Sequence, residues 1–403
     1  MTRSPARPSH RRGATWAESA LSRRGFLRAV GVGGAALAAG PLLSACGTEG
    51  TNNSDEPAAS SGDPKKLAWS NWPLYIDTSE EDETDHPTLT AFTEKTGIEV
   101  TYTEDINDND EFFGKISPML RAGRSTGRDV IVLTDWMAAR MIRLDYVEKI
   151  DRANIPNSKN LIPSYEEVPF DQGREYSLPW QSGIAGIGYN PVALGREITE
   201  FDDLFQDDLK GRLTMLTEMR DTMGLMLLSM GKSPEDHTFA DYKAAIAKLQ
   251  KLVDDGYVRA FTGNEYAVDL ASGSILAAVA WSGDVLQLQA DDPDMQLVVP
   301  GDGGMLWSDN LMVPKGAGNK AGAEKLMDFY YDPKIAAEVA AYVNYVSPVQ
   351  GAQDAMEEID PELASNELIF PTEETLSTLH SFKALDEGEE KEYQDLFQQV
   401  IGA

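Results

Sequence analysis

From Lys65 onward, short continuous apolar runs alternate with stretches whose apolar positions recur every three or four residues. The runs Asp129–Leu133, Ile275–Ala280 and Leu297–Val299 are the length of strands and lack alternating polar positions, as expected of strands covered on both faces. Between them Phe239, Tyr242, Ala245, Ile246, Leu249, Leu252 and Val253 fall on one helical stripe, with Thr238 placed to cap its start and Gly256 just past its end. That alternation predicts an α/β fold with largely parallel sheets. At 403 residues the chain exceeds one ordinary core, so two domains or more are expected.

In open α/β sheets ligands bind beyond the carboxyl ends of the strands, so the residues just past each run are the first candidates for a site. Thr134-Asp135-Trp136 follow Leu133, and Trp281-Ser282-Gly283-Asp284 follow Ala280. Thr217-Glu218-Met219-Arg220-Asp221 follow the run Leu213–Leu216, and Trp72 and Tyr75 follow Leu67–Ser70. Trp307-Ser308-Asp309 precede the strand-like run Leu311–Val313. Four of the six tryptophans beyond residue 46 thus stand at predicted strand ends, whereas Trp69 on a strand and Trp180 beside Pro179 read as structural.

Trp and Tyr faces with a few carboxylates suit an organic cation, because the rings attract an ammonium group and pack on its methylenes while the carboxylates hold its charge. Each residue also has a plainer reading. Glu218 and Asp221 in the first turn of a helix are favoured by its dipole, Asp309 suits a turn, and Trp281 could close a core.

Charge changes the picture in one respect. The chain carries 35 Lys and Arg against 66 Asp and Glu, a net charge of −31, and its seven arginines before residue 46 leave the remainder still more acidic. A nucleic-acid partner is therefore not expected; a cation is a plausible partner, and the same acidity equally suits a surface that simply keeps an exported protein soluble.

Ser22-Arg23-Arg24-Gly25-Phe26-Leu27 form a twin-arginine pattern, followed by the small, apolar run Ala29–Ala45. Leu43-Ser44-Ala45-Cys46 match a lipoprotein cleavage box, and Cys46 is the only cysteine. Residues 1–46 are read as a signal segment ending at a lipidated Cys46, and residues 47–65 as a flexible stalk. The mature chain is then an exported monomer on the outer face of the cell membrane, held by its lipid alone.

Catalytic motifs find little support. Six residues separate Gly224 from Gly231-Lys232-Ser233 where a P-loop has four, and Gly186-Ile187-Gly188 lack a third glycine. The segment Asp105–Asp110 lacks the glycine and glutamate of a calcium loop, and His10, His86, His237 and His380 are scattered. No enzyme activity, cofactor or metal is expected.

Taken in order, Ser70–Tyr75, Asp129–Leu133 with Thr134 and Trp136, Tyr176–Pro179, Gly186–Asn190, Trp281-Ser282-Gly283 and Gly303–Asp309 resemble the spermidine/putrescine-binding family of ABC-importer solute-binding proteins. The resemblance covers residues 66–400. It implies two α/β lobes of the type II periplasmic-binding-protein-like fold with a ligand cleft between them. Lobe 1 would comprise residues 66–183 and 306–348, and lobe 2 residues 187–303 and 352–403. Carried over by position, the ligand-binding residues would be Trp72, Tyr75, Thr134, Trp136, Glu218, Asp221, Trp281, Trp307, Asp309 and Tyr345. The aromatics would sandwich a polyamine chain, and Glu218, Asp221 and Asp309 would take its ammonium groups. The loaded protein would deliver its ligand to a membrane permease driven by an ATPase.

Two departures stand out. Pro73 replaces a hydroxyl residue near the ligand, and Lys383 falls near a family glutamine in the C-terminal part. Ser79–Thr88, with Glu80, Glu81, Asp82, Glu83 and Asp85, reads as an acidic insertion near the cleft mouth, either steering cations or merely solvated. Alternatives are another small organic cation or solute in the same transport role, and, from other classes, an exported hydrolase or an envelope interaction lipoprotein.

Overall fold

A computed structural model describes residues 62–79, 82, 84–106 and 108–402. The signal segment, Cys46, the stalk before residue 62 and the insertion's Glu80, Glu81 and Glu83 lie outside the described residues. Within the insertion, Ser79 N donates to Asp85 O at 2.8 Å.

The strands are β1 Lys66–Asn71, β2 Glu99–Glu104, β3 Val130–Thr134, β4 Glu167–Val168, β5 Asp171–Gln172, β6 Ser177–Tyr189, β7 Leu213–Leu216, β8 Val258–Thr262, β9 Ala277–Trp281, β10 Gln296–Val298, β11 Gly304–Met312 and β12 Leu379–His380. Apart from the β4–β5 hairpin they form one sheet with the central order β2-β1-β3-β11-β6-β9-β7-β8. The two ends are parallel: β1 pairs with β2 and β3, and β7 with β8 and β9. In the middle β6 and β11 run antiparallel to each other and to their outer neighbours, so the sheet is mixed where the sequence suggested a largely parallel one. The difference comes from length, since β6 and β11 each pass from one half of the molecule into the other.

Each half has its own core. Leu67, Trp69, Phe92, Val132, Leu178, Trp180 and Leu311 pack in the first, and Ile187, Leu213, Met215, Tyr242, Leu249, Val279 and Met305 in the second. Two lobes thus hang on shared strands. A third crossing lies beside them, where Ser182 and Val346 exchange backbone hydrogen bonds of 2.9 and 2.8 Å. Ser182 and Ser308 hydroxyls meet there at 2.6 Å. Small side chains leave this waist thin, which suits a hinge.

Trp69 and Trp180 are core residues, in line with their structural reading. Their rings cross edge-on at 5.2 Å, and both pack against Tyr330. The helical stripe becomes Phe239–Asp254, closed at its start by a reciprocal Thr238/Asp241 capping box and followed by Gly256 at φ +77°.

Three expectations need correcting. Leu297–Val299 is not a doubly covered strand: β10 lies off the central strand order, pairs with β6 and is only partly buried. Trp307-Ser308-Asp309 do not precede a strand but lie inside β11, where the register against β6 shifts between Asp309 and Asn310. Residues 352–403 do not all join the second lobe. The helix Ala352–Ile359 places Met356 against Ala337 and Ala340 of the helix Pro333–Val343, whereas Tyr393 and Phe397 of the helix Glu387–Ile401 enter the second core.

Candidate functional site

The first lobe supplies one wall. At the end of β1, Leu74 adopts φ +55°, a left-handed conformation uncommon for a non-glycine residue, and its N–H donates to the Glu104 carboxylate at 2.9 Å. The next residue, Tyr75, is buried. The Trp72 indole donates to Val132 O at 3.1 Å, which holds its ring against the middle of β3. Thr134 ends β3 and stands opposite Asp309 in register. It N-caps the helix Asp135–Arg143 without using its side chain, so its hydroxyl is free to donate to Asp309 Oδ1 at 2.7 Å.

The second lobe answers with Trp281 and Asp221. Asp221 lies in the first turn of the helix Met219–Leu228, whose N-cap is Glu218, and its carboxylate accepts the Trp281 indole N–H at 2.8 Å. From Trp281 a chain of edge-on rings runs back across the waist: Trp307 at 6.5 Å, Tyr345 a further 5.4 Å on, then Tyr75 at 5.5 Å. Two glycines make room for these rings. A Cβ on Gly183, which faces Trp307 across β6 and β11, would overlap the indole, and one on Gly283 would lie 2.5 Å from the Tyr345 ring.

Asp284 completes the group. It accepts from the hydroxyls of Tyr266 at 2.7 Å and Tyr345 at 3.2 Å and from the Asn264 amide at 2.9 Å. Burial pushes Asp309 up to about 7, with Asp135 and Asp221 adding to the shift. Burial also pushes Asp221 up to about 6, offset by the Trp281 N–H and Arg220, and raises Asp284 against its three donors. Asp309 and Asp284 accept only from neutral groups among their described hydrogen bonds. Among the described residues the Trp307 indole N–H meets no acceptor and the buried Tyr75 hydroxyl makes no hydrogen bond of ordinary geometry, although Asp309 lies near enough to raise the Tyr75 pKa after burial has done so. Such a site disfavours its own ionised form and gains from a cation that pairs with its carboxylates and lies against its ring faces.

The ten sequence-derived residues therefore divide. Tyr75, Thr134, Asp221, Trp281, Trp307, Asp309 and Tyr345 converge, whereas Trp72 is held against the middle of β3. Trp136 and Glu218 instead gather round a cation of the chain itself: the Arg220 guanidinium lies 3.9 Å from the Trp136 ring centre and 3.9 Å from Glu218 Oε1. Burial pushes Glu218 up to about 8, with Arg220 pulling the other way. Lys383 pairs with Glu389 at 3.4 Å and lies over the Tyr393 ring, among residues of the second lobe's core.

A family model for bacterial extracellular solute-binding proteins matches residues 88–371. The chain belongs to that family. Among relatives of this solute-binding protein, the putrescine-binding periplasmic protein SpuD of Pseudomonas aeruginosa is 30% identical over 347 residues, which cover 81% of this chain and 89% of the other. The spermidine/putrescine-binding periplasmic protein of Escherichia coli is 28% identical over 320 residues, 79% of this chain and 87% of its own. Among solved structures, that of the spermidine/putrescine ABC transporter substrate-binding protein PotD of Streptococcus pneumoniae superposes with a TM-score of 0.70 at 28% identity, covering 83% of this chain and 98% of that one. The fold is accordingly the two-lobe, periplasmic-binding-protein-like one that the sequence suggested.

The sequence reading gave no role to three residues that the structure brings to this candidate site. Asp284 was visible at a strand end but not singled out, although it joins Tyr345 to Tyr266. Gly183 carried no signal and Gly283 only that of the Trp281-Ser282-Gly283 motif, because the rings for which they leave room come from distant segments.

Proposed function

We propose that this chain is the substrate-binding component of an ABC importer and captures a polyamine of the putrescine/spermidine class between its lobes. The observation that carries the proposal is the set of carboxylates Asp309 and Asp221, both buried, and the half-buried Asp284, framed by Trp281, Trp307, Tyr345 and Tyr75, with no cation paired to Asp309 or Asp284 among the described residues. A diammonium ligand satisfies them in a way a sugar or a carboxylate ligand cannot. In this reading Asp309 holds one ammonium group, Asp221 and Asp284 hold the other end, and the ring chain packs on the methylenes between. Thr134 keeps the Asp309 carboxylate in place, and Trp72, Trp136 and Glu218 border the cleft. Hinge motion at the waist closes the lobes on the amine, and the closed form docks on a permease driven by a cytoplasmic ATPase. The ligand leaves unchanged, so no catalysis is involved.

The same proposal includes export through the twin-arginine signal, lipidation at Cys46, a monomeric state and attachment to the outer face of the cell membrane. The mass of the protein extracted from membranes tests the anchor: an N-terminus at Cys46 bearing acyl chains is expected, and an unmodified longer chain contradicts it.

Ligand class is tested by calorimetric titration of residues 47–403, stripped of carried ligand, with putrescine, spermidine, an amino acid and a sugar. Saturable binding of an amine at micromolar concentration or below is expected, about −8 kcal/mol or better. Heat from the amino acid or sugar with none from either amine would contradict the ligand class.

A further inference from the structure

Outside the ring chain, a second set of charges joins the lobes. Glu390 lies on the C-terminal helix Glu387–Ile401 of the second lobe and is buried. Its carboxylate meets Arg140 Nη2 at 3.0 Å and, at 3.7 Å, Arg143, both on the first lobe's helix Asp135–Arg143. It also accepts from Arg220 Nη2 of its own lobe at 2.9 Å. Arg220 in turn lies over Trp136 of the first lobe at 3.9 Å, and Arg140 approaches the same ring at 5.1 Å. Asp110 of the first lobe pairs with Arg140 at 2.6 Å. One buried carboxylate thus gathers three guanidinium groups from both lobes, and one indole takes cations from both.

We infer that Glu390 is a positioning residue for ligand capture: it latches the lobes together by binding Arg140 and Arg143 across the cleft while holding Arg220 against Trp136. The inference rests on the polyamine-binding reading only for its choice of ligand. Glu390 belongs to a different constellation from Asp309, Asp284 and Asp221, so it acts on closure and not on the amine. Hydrogen bonds to charged groups in partly buried surroundings are among the stronger ones, and salt screens such pairs less than exposed ones. Separation of the lobes breaks the contacts to Arg140, Arg143 and Trp136 and leaves only those within each lobe. The latch therefore favours the closed form by whatever those cross-lobe contacts contribute.

The test uses Glu390→Gln, Arg140→Met and the double variant in the chain from residue 47. Putrescine titration should give a dissociation constant raised about fivefold to twentyfold in each single variant, mostly through faster release. The double variant should lose little more than either single one, because both remove the same contact. Small-angle scattering of the ligand-free chain supplies a readout independent of the amine: Glu390→Gln should be more expanded than the unaltered protein at low salt. Either change supports the latch. Putrescine affinities within twofold together with superimposable scattering curves would overturn it. A parent chain that binds no amine but expands on Glu390→Gln would retain the latch and reject the ligand reading.

Discussion

Asp309→Asn is expected to weaken polyamine binding at least about 100-fold, the yield of removing one partner from a desolvated charge pair worth roughly 3–5 kcal/mol. The same substitution should stabilise the ligand-free protein. Asp309 is 5% exposed, its Oδ1 is served by the neutral Thr134 hydroxyl, and burial raises its pKa to about 7. Between the ordinary Asp value near 4 and about 7, the folded state binds a proton that the unfolded state does not. Stability of the ligand-free chain therefore falls as pH rises through that window, and Asn removes this slope. Ligand affinity runs the other way. The amine needs the ionised carboxylate, so affinity should drop by up to about tenfold per pH unit below 7, with proton release on binding. Titrations in two buffers of different ionisation enthalpy measure that release. Unchanged affinity in Asp309→Asn, or no proton release near pH 6.5 by the parent chain, would contradict the assignment.

Gly183→Ala should be the most damaging substitution among those that delete no functional group. The added methyl overlaps the Trp307 indole, and the wall ring must tilt because the strand beneath it is shared by both lobes. Overpacking of this kind costs about 1–3 kcal/mol in a well-packed interior. Moving the indole also breaks the run of rings from Trp281 to Tyr345, each worth roughly 0.5–2 kcal/mol to a cation. Polyamine affinity is expected to fall about tenfold to 100-fold by calorimetry. Gly114→Ala, on a helix with open space around its Cβ position, should leave it unchanged. Equal affinities in the two variants would mean that Trp307 does not line the ligand.

The division between what was legible and what was not tracks sequence distance. Local signals were read well: Thr238 and Gly256 bound the helix predicted for them, and Glu218 and Asp221 occupy the N-cap and first turn of another. The strand-end rule also placed Tyr75, Thr134 and Trp281 correctly in the fold, because a parallel βα unit delivers the residue after the strand to one edge. It failed for Trp307 and Asp309, which lie within β11. A register shift lies beside Asp309 and the narrow Gly183 stands opposite Trp307, and neither leaves a pattern in one segment. Trp136 and Glu218 were legible as an aromatic and an acid, but their partner was not. Arg220, in a stretch read for its carboxylates, reaches Trp136 in the other lobe, a contact that depends on how two distant segments pack.

The most direct test of the cleft assignment is a crystal structure of the stripped protein with putrescine near pH 8, where Asp309 is ionised. One amine nitrogen should lie within about 3 Å of the Asp309 carboxylate, with the methylenes against Trp307 and Tyr345 and the other nitrogen toward Asp221 and Asp284. Putrescine bound away from Asp309, or a saturated crystal in which Asp309 keeps only its bond from Thr134, would contradict the account.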